Sequence, residues 1–181
     1  MKILFVSFVL FVSLISSAIA STKNISIDVV LSPAGSFTIT SSKIRGAVFI
    51  DSNSELRAKN IKVPVESLKT GIELRDNHLK KKLGHEKDKK AVLLLVEAKG
   101  SNGKGKAKFR VLDKEQTADF TYKKVSEKLV EATFSLKLDT FGISGINYMG
   151  VGVKNTVNVI VEIVHFFSVA HIHGLRGQPF F

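Results

Sequence analysis

KAKFRVLDKEQTADFTYK, residues 106–123, indicates the fold class of the chain. Apolar side chains occupy every second position on both sides of a short polar connection at Asp113 and Lys114. These apolar positions are Ala107, Phe109, Val111, Ala118, Phe120 and Tyr122. A period of two is typical of a β-strand with one buried and one solvated face, whereas a helix repeats every ~3.6 residues. The stretch therefore predicts a β-hairpin with one apolar face.

The same alternation extends along most of the chain. Apolar residues alternate in the runs 25–29, 37–39, 48–50, 61–65, 92–96, 134–138 and 157–163, with Val92, Leu94 and Val96 as the expected inward positions of the fifth run. Turn residues bound these runs, for example Ser-Pro-Ala-Gly at 32–35 and Gly-Ser-Asn-Gly at 100–103. Eight or nine strands joined by short polar turns predict a β-sandwich or a closed barrel.

One segment between residues 65 and 91 departs from this alternation and predicts a helix over residues 72–83. Thr70 followed three residues later by Glu73 has the pattern of a capping box at the start of a helix. Gly84 follows the last helical position, where glycine commonly ends a helix.

The predicted helix carries charge on its apolar face. At helical spacing this face contains Ile72, Leu79 and Leu83, and it also contains Arg75 and Asp76. Charged groups on an apolar face must pair, bind backbone groups or contact a ligand. Arg75 and Asp76 are therefore either a latch that pins the helix to the barrel or part of a binding site.

The first twenty residues have the pattern of a secretory signal peptide. Lys2 precedes an apolar run over residues 3–15, and an A-x-A ending predicts cleavage after Ala20. The run is short for a membrane-spanning helix, so an uncleaved anchor is the less favoured alternative. We expect a periplasmic or secreted protein.

The chain is basic, with 27 Lys and Arg against 16 Asp and Glu, and it contains no cysteine. Without disulfides, core burial must hold the fold of an exported domain. Excess positive charge favours anionic partners, and export argues against nucleic acid. We name as the lysine cluster the residues Lys80, Lys81, Lys82, Lys87, Lys89 and Lys90. This cluster predicts transient contact with an anionic membrane surface, with a solvated basic face as the alternative.

Two separated motifs resemble the YceI-like family. The run IKVPVESLKTGIELRDNHL, residues 61–79, is similar to the family's strand with Val-x-x-x-Ser-Leu-x-Thr-Gly and its following Arg-Asp-x-His-Leu helix. The runs FSLKLDTFGI, residues 134–143, and GVGVKNTVNV, residues 150–159, are similar to the family's strand, Phe-Gly-Ile turn and final strand. The resemblance spans residues 25–164.

The resemblance implies a lipocalin-like extended antiparallel β-barrel of about eight strands, capped by the helix, with an apolar channel for a polyisoprenoid chain. It also implies a periplasmic or secreted location, and it places Arg75, Asp76 and His78 at the pocket entrance. The chain departs from the family at residues 87–90, where a proline is common, and at residues 112–114, where the family has a glycine-containing turn.

The inward-facing positions of this register form the predicted channel lining. They are Phe37, Ile39, Val48, Ile50, Leu94, Val96, Phe109, Phe120, Tyr122, Phe134 and Leu136. An apolar tube suits a hydrocarbon ligand, although a filled core would explain the same residues. The family resemblance implies that this ligand is a polyprenyl or quinone-like lipid. Charged residues on the opposite face, such as Lys108 and Lys137, argue against an outer-membrane barrel with a lipid-facing wall.

Catalysis and cofactor binding find little support in the sequence. It has no Cys nucleophile, no G-x-S-x-G elbow, no phosphate-cradling loop and no H-E-x-x-H motif. His78 and Asp76 are two residues apart on the predicted helix and should diverge, which disfavours an acid/base pair. We predict a non-catalytic binding protein without a cofactor, with an isoprenoid lipid as ligand and a transport or storage role.

The sequence divides into a signal peptide at residues 1–20, a barrel domain at residues 21–164 and an irregular tail at residues 165–181. The tail contains His165, His171 and His173, whose spacing is compatible with copper, zinc or nickel. Metal carriage is thus one alternative function, and a structural or stress-response binding module with a filled barrel is another. The oligomeric state is left open, with a dimer as one possibility.

Overall fold

The computed structural model describes residues 23–148 and 151–168. The predicted signal peptide and residues 169–181 of the predicted tail lie outside the described residues. The strands are β1 (Asn24–Ser32), β2 (Ser36–Ser41), β3 (Val48–Asp51), β4 (Leu56–Pro64), β5 (Val92–Ser101), β6 (Lys104–Val111), β7 (Lys114–Lys124), β8 (Leu129–Lys137), β9 (Asn147–Tyr148) and β10 (Val151–Ser168). Helix α1 spans Glu73–Lys82, and short 3-10 helices occupy Val65–Ser67 and Asp139–Phe141. None of the helices in the described parts of the chain has the length and apolar character needed to cross a membrane.

The long strand β10 closes the sheet into a barrel. The strand order is β2-β1-β10-β3-β4-β5-β6-β7-β8, and β8 also pairs with β10. The result is a closed, lipocalin-like barrel of seven strands with additional strands. The predicted barrel with a short helix is thus confirmed. It is mixed rather than wholly antiparallel, because β3 runs parallel to β10 over residues 165–168.

The predicted alternation is confirmed in most strands. In β6, Ala107, Phe109 and Val111 are buried, while the residues between them lie on the outer face. Charged residues of the outer face pair across strands, as Lys106 and Asp119 do at 2.7 Å. The apolar face is therefore inside the barrel, as the charge pattern predicts.

Strand β5 differs from the predicted register. Leu95 pairs with the inward residues of β4 and β6, and Leu94 pairs with outward Lys62. A bulge at Val96 then makes Ala98 the next inward residue. The predicted register with Val92, Leu94 and Val96 as the inward positions is wrong, because residues 92–96 are all apolar and show no alternation that would define it. Leu94 nevertheless borders the barrel interior, together with Leu93 and Leu95.

Helix α1 lies where β4 ends and β5 begins, one residue shorter at each end than predicted. Gly84 follows it with φ of 80°, a left-handed conformation that glycine adopts readily. The predicted capping box is absent, because the N-cap residue is Ile72 rather than Thr70. Leu79 and Leu83 pack against the barrel core as expected, but Ile72 is 51% exposed.

The first residues of the predicted irregular tail belong to a strand. Residues 165–168 are the last part of β10 and pair with β3, and His165 is 3% exposed. The prediction of an irregular segment from residue 165 is therefore wrong for these four residues. Apolar alternation ends at Ile163, so the sequence pattern gave no sign that the strand continues.

Candidate functional site

The barrel interior contains a cavity of about 130 Å³. All 23 residues that line it are Ala, Val, Leu, Ile or Phe, and they come from β1, β3 to β8 and β10, together with Ile44. A cavity of this size without polar side chains is comparable to an engineered apolar cavity of ~150 Å³ that stays dry and binds benzene. The interior therefore favours a hydrocarbon group over a polar ligand.

A row of four alanines crosses the wall of the barrel beside this cavity. Ala58 pairs with Ala98, Ala98 with Ala107, and Ala107 with Ala118, on four consecutive strands. The first three line the cavity. Facing side chains of larger size would fill the interior of so small a barrel, so the methyl groups of this alanine row leave the free volume.

An aromatic pair also lines the cavity. The rings of Phe109 and Phe134 are stacked, with centroids 4.4 Å apart. These residues belong to β6 and β8, and Ala118 lies on the strand between them. Because Ala118 is small, the two rings can meet across β7.

Two glycines fix the position of a third ring. Gly100 pairs with Gly105, and Gly105 pairs with Phe120. A Cβ atom on Gly105 would lie 2.6 Å from the ring of Phe120 and 2.3 Å from the carbonyl oxygen of Lys99. The ring therefore packs directly on the glycine backbone and bounds the cavity on this side.

The barrel wall has a weak seam between β7 and β8. Their ladder extends from Phe120 and Phe134 to the turn, and residues 114–119 of β7 have no ladder partner on β8. The backbone N–H of Lys137 instead donates to Oε1 of Gln116 at 3.1 Å. We call this region the β7–β8 seam, and the cavity residues Phe134 and Leu136 lie on its β8 side.

Asp76 holds α1 onto the preceding loop. Its carboxylate is buried and accepts hydrogen bonds from the backbone N–H and the hydroxyl of Thr70, both at 2.7 Å. The Nζ atom of Lys69 lies 3.5 Å from Oδ2 of Asp76. Burial raises the pKa of Asp76, but the bonds from Thr70 and the charge of Lys69 outweigh burial, so the net pKa lies below its ordinary value. Asp76 is thus ionised and acts as a latch.

Arg75 and His78 point elsewhere. The guanidinium carbon of Arg75 lies 4.3 Å from the centroid of the Phe37 ring on β2, a cation–π contact. His78 is exposed on the outer face of the helix. The structure therefore does not bring Arg75, Asp76 and His78 together, and none of the three lines the cavity. Their role at a pocket entrance stays a prediction.

The sequence comparison identifies the family. A family model for the YceI-like domain matches residues 17–165.

The chain belongs to the YceI-like family.

No curated protein matches the sequence. Among solved structures, this YceI-like chain is similar to BcnA of Burkholderia cenocepacia, with a TM-score of 0.57 and 13% identity over 77% of this chain and 95% of BcnA. It is also similar to a polyisoprenoid binding domain from Saccharophagus degradans, with a TM-score of 0.54 and 12% identity over 78% of this chain and 92% of that domain. At these identities the likeness supports the fold alone.

The YceI-like barrel places the predicted lining residues in three environments. Those that line the cavity are Val48, Leu94, Phe109, Phe120, Phe134 and Leu136. Those in the core or packed against it, outside the cavity lining, are Phe37, Ile39, Ile50 and Tyr122. Val96 is half-buried at the bulge of β5. The role of all eleven residues in lipid binding stays a prediction.

The alternation pattern did not predict the alanine row or the inward leucines of β5. Ala58, Ala98, Leu93 and Leu95 line the cavity but were not predicted. Alanines at alternating positions of four runs were visible, but only the strand register brings them into one row.

Within residues 23–148 and 151–168, no group of three His, Asp or Glu side chains is arranged to hold a metal ion. Two of the three tail histidines, His171 and His173, lie outside these residues. Metal binding by the tail histidines therefore stays a prediction.

Proposed function

We propose that this protein binds an isoprenoid-type lipid, polyprenyl or quinone-like, in the interior of its barrel. The observation that carries the proposal is the wholly apolar cavity beside the alanine row, where the only favourable interaction for a ligand is burial of hydrocarbon. Each buried CH₂ group contributes about 0.8 kcal/mol, so several carbons suffice for measurable affinity.

Family membership supports the same proposal. YceI-like proteins are binding proteins and are generally periplasmic. The Saccharophagus degradans relative of the fold is described as a polyisoprenoid binding domain. By extension, we propose a non-catalytic role for this chain, in the transport or storage of its lipid, after export through the N-terminal signal peptide. The lysine cluster would favour anionic membranes as the place of loading.

The size of the cavity favours a second candidate, a binding module with a filled barrel. Pockets for small molecules usually measure about 300–1,000 Å³, and this cavity measures about 130 Å³. A long chain would need additional space, which the β7–β8 seam can supply because few backbone hydrogen bonds hold it. The two candidates therefore differ in whether the wall opens for a lipid.

Native mass spectrometry with solvent extraction distinguishes the two. Residues 21–181 are purified from a bacterial periplasm, and the extract is analysed for lipids. We expect a stoichiometric isoprenoid. A lipid-free protein that also refuses added polyprenyl lipids would overturn the proposal and favour the filled barrel.

A matched pair of variants on β5 tests the position of the lipid. Ala98 lines the cavity, and Val96, two residues away, does not. We expect Ala98→Leu to lower lipid occupancy by filling the free volume, and Val96→Leu to leave it unchanged. Equal occupancy in both variants, with both folded by circular dichroism, would contradict a site in this cavity.

A further inference from the structure

Large apolar side chains are exposed at the end of the barrel that carries α1. Leu74 is 64% exposed, Ile72 is 51% exposed and Leu112 is 40% exposed. Leu112 belongs to the turn between β6 and β7, and its side chain lies so close to Gly84 that an added Cβ there would be 3.0 Å from it. The three residues therefore belong to one end of the molecule.

The exposure of Leu74 follows from the orientation of the helix. Asp76 and Leu83 face the barrel, and both are buried. Leu74 is two residues before Asp76 and hence on the opposite face, where His78 and Lys81 follow at i+4 and i+7. An exposed leucine thus shares its stripe of the helix with a cation.

The same end is strongly basic. The lysine cluster contributes six lysines within residues 80–90, where the acidic residues are Glu86 and Asp88. Glu86 lies 3.5 Å from Lys81. Even with this pair, the segment keeps a clear excess of positive charge, and Lys81 itself remains 68% exposed.

We propose that the α1 end of the barrel docks on an anionic lipid bilayer, with Leu74 entering the boundary between headgroups and acyl chains. Exposed leucines suit this boundary, and each lysine near an anionic surface contributes favourably. A polyanion such as nucleic acid would use the lysines and leave Leu74 in water. A second copy of this face would carry the same positive charge and be repelled. An anionic bilayer satisfies both features.

Docking on a bilayer is separate from lipid binding in the cavity, and a flotation assay measures the binding of the protein to vesicles directly. Residues 21–181 are mixed at low salt with phosphatidylcholine vesicles that contain about one third phosphatidylglycerol, or none. We expect binding only to the anionic vesicles and release by salt, because surface charges are screened. No binding to the anionic vesicles would overturn the inference.

Variants at the two ends of the barrel locate the surface. We expect Leu74→Asn to weaken vesicle binding about tenfold and each of Lys82→Gln and Lys89→Gln about fivefold. The matched controls are Phe166→Asn, which changes a 55% exposed residue near the opposite end, and Lys104→Gln in the β5–β6 hairpin there.

The controls should bind like the original protein. Loss of binding in the controls to the same extent would contradict docking by this end, as would unchanged binding of Leu74→Asn together with the lysine variants. Native mass spectrometry of Leu74→Asn should still detect the cavity lipid, because Leu74 does not line the cavity. Vesicle binding without any cavity lipid would overturn the proposed function and leave the docking inference standing.

Discussion

Replacing Ala107 by leucine should stabilise the protein, which is uncommon for a larger side chain in a core. Ala107 is 3% exposed and lines the cavity of about 130 Å³. At about 24 cal/mol per Å³, a cavity of 130 Å³ corresponds to a cost of ~3 kcal/mol. Leucine adds three carbons, worth about 2 kcal/mol on burial, and loses about 0.5–1 kcal/mol of side-chain entropy. We expect a net gain of about 1 kcal/mol in the free energy of unfolding.

Urea denaturation measures this gain, provided that the protein is first freed of lipid. A bound ligand stabilises the folded state by mass action and would hide a difference of this size. The variant should show a higher midpoint with an unchanged slope, since the surface exposed on unfolding is nearly the same. A gain of this size would also raise the melting temperature by about 2–4 °C.

The control is Ala118→Leu, at the cross-strand partner of Ala107. Ala118 does not line the cavity and lies on β7, the strand between those that carry the stacked rings of Phe109 and Phe134. A leucine there has no free volume to enter and should cost about 1–3 kcal/mol. If Ala107→Leu destabilises the protein as much as Ala118→Leu, the free volume beside the alanine row is refuted.

Three further predictions concern the latch, a buried histidine and the glycine pair. Asp76→Asn should lower the free energy of unfolding, measured in urea, by about 2–3 kcal/mol, because the charge-assisted hydrogen bonds from Thr70 weaken. Since the pKa of Asp76 is lowered in the folded state, the original protein should lose this contribution only as pH falls below about 3.8. Burial, followed by the charge of Lys124, lowers the pKa of His165, so the free energy of unfolding should decline as pH falls below 6.5. His165→Gln should reduce that decline, measured as urea midpoints between about pH 5 and 8. An equal decline in both proteins would contradict a role for His165. Gly105→Ala should destabilise the barrel by about 1–3 kcal/mol in thermal unfolding, because the added methyl collides with the backbone of Lys99, and an unchanged melting temperature would refute the close approach.

The alternation of apolar and polar residues predicts the strands of the barrel well, because it depends only on the local sequence. In β6 and β7 each apolar position alternates with a polar one, so the sequence defines both the strand and its buried face. In β5 the run from Val92 to Val96 is apolar throughout, and the bulge at Val96 shifts the inward face by one residue. Bulges depend on pairing with both neighbouring strands, which no local pattern records.

The candidate site is less predictable for a related reason. The sequence correctly suggests that Asp76 is buried and partnered, because a charge on an apolar helix face has to be satisfied. The partner is Thr70 rather than Arg75, because the loop before the helix folds back over its first turn. Neighbouring residues of a helix point in different directions, so the side chain of Arg75 reaches Phe37 instead.

Free volume is the least local property of all, because it depends on which small residues become neighbours. The four alanines are scattered over residues 58–118 and meet only through three strand pairings. Ala118, the last of them, lies on the strand whose ladder with β8 is incomplete, so small side chains and unpaired wall positions occur in the same part of the barrel. A wall that combines both features resists the entry of a slender hydrocarbon less than any fully paired part. The short ladder between β7 and β8 is therefore where a longer chain would extend beyond the cavity.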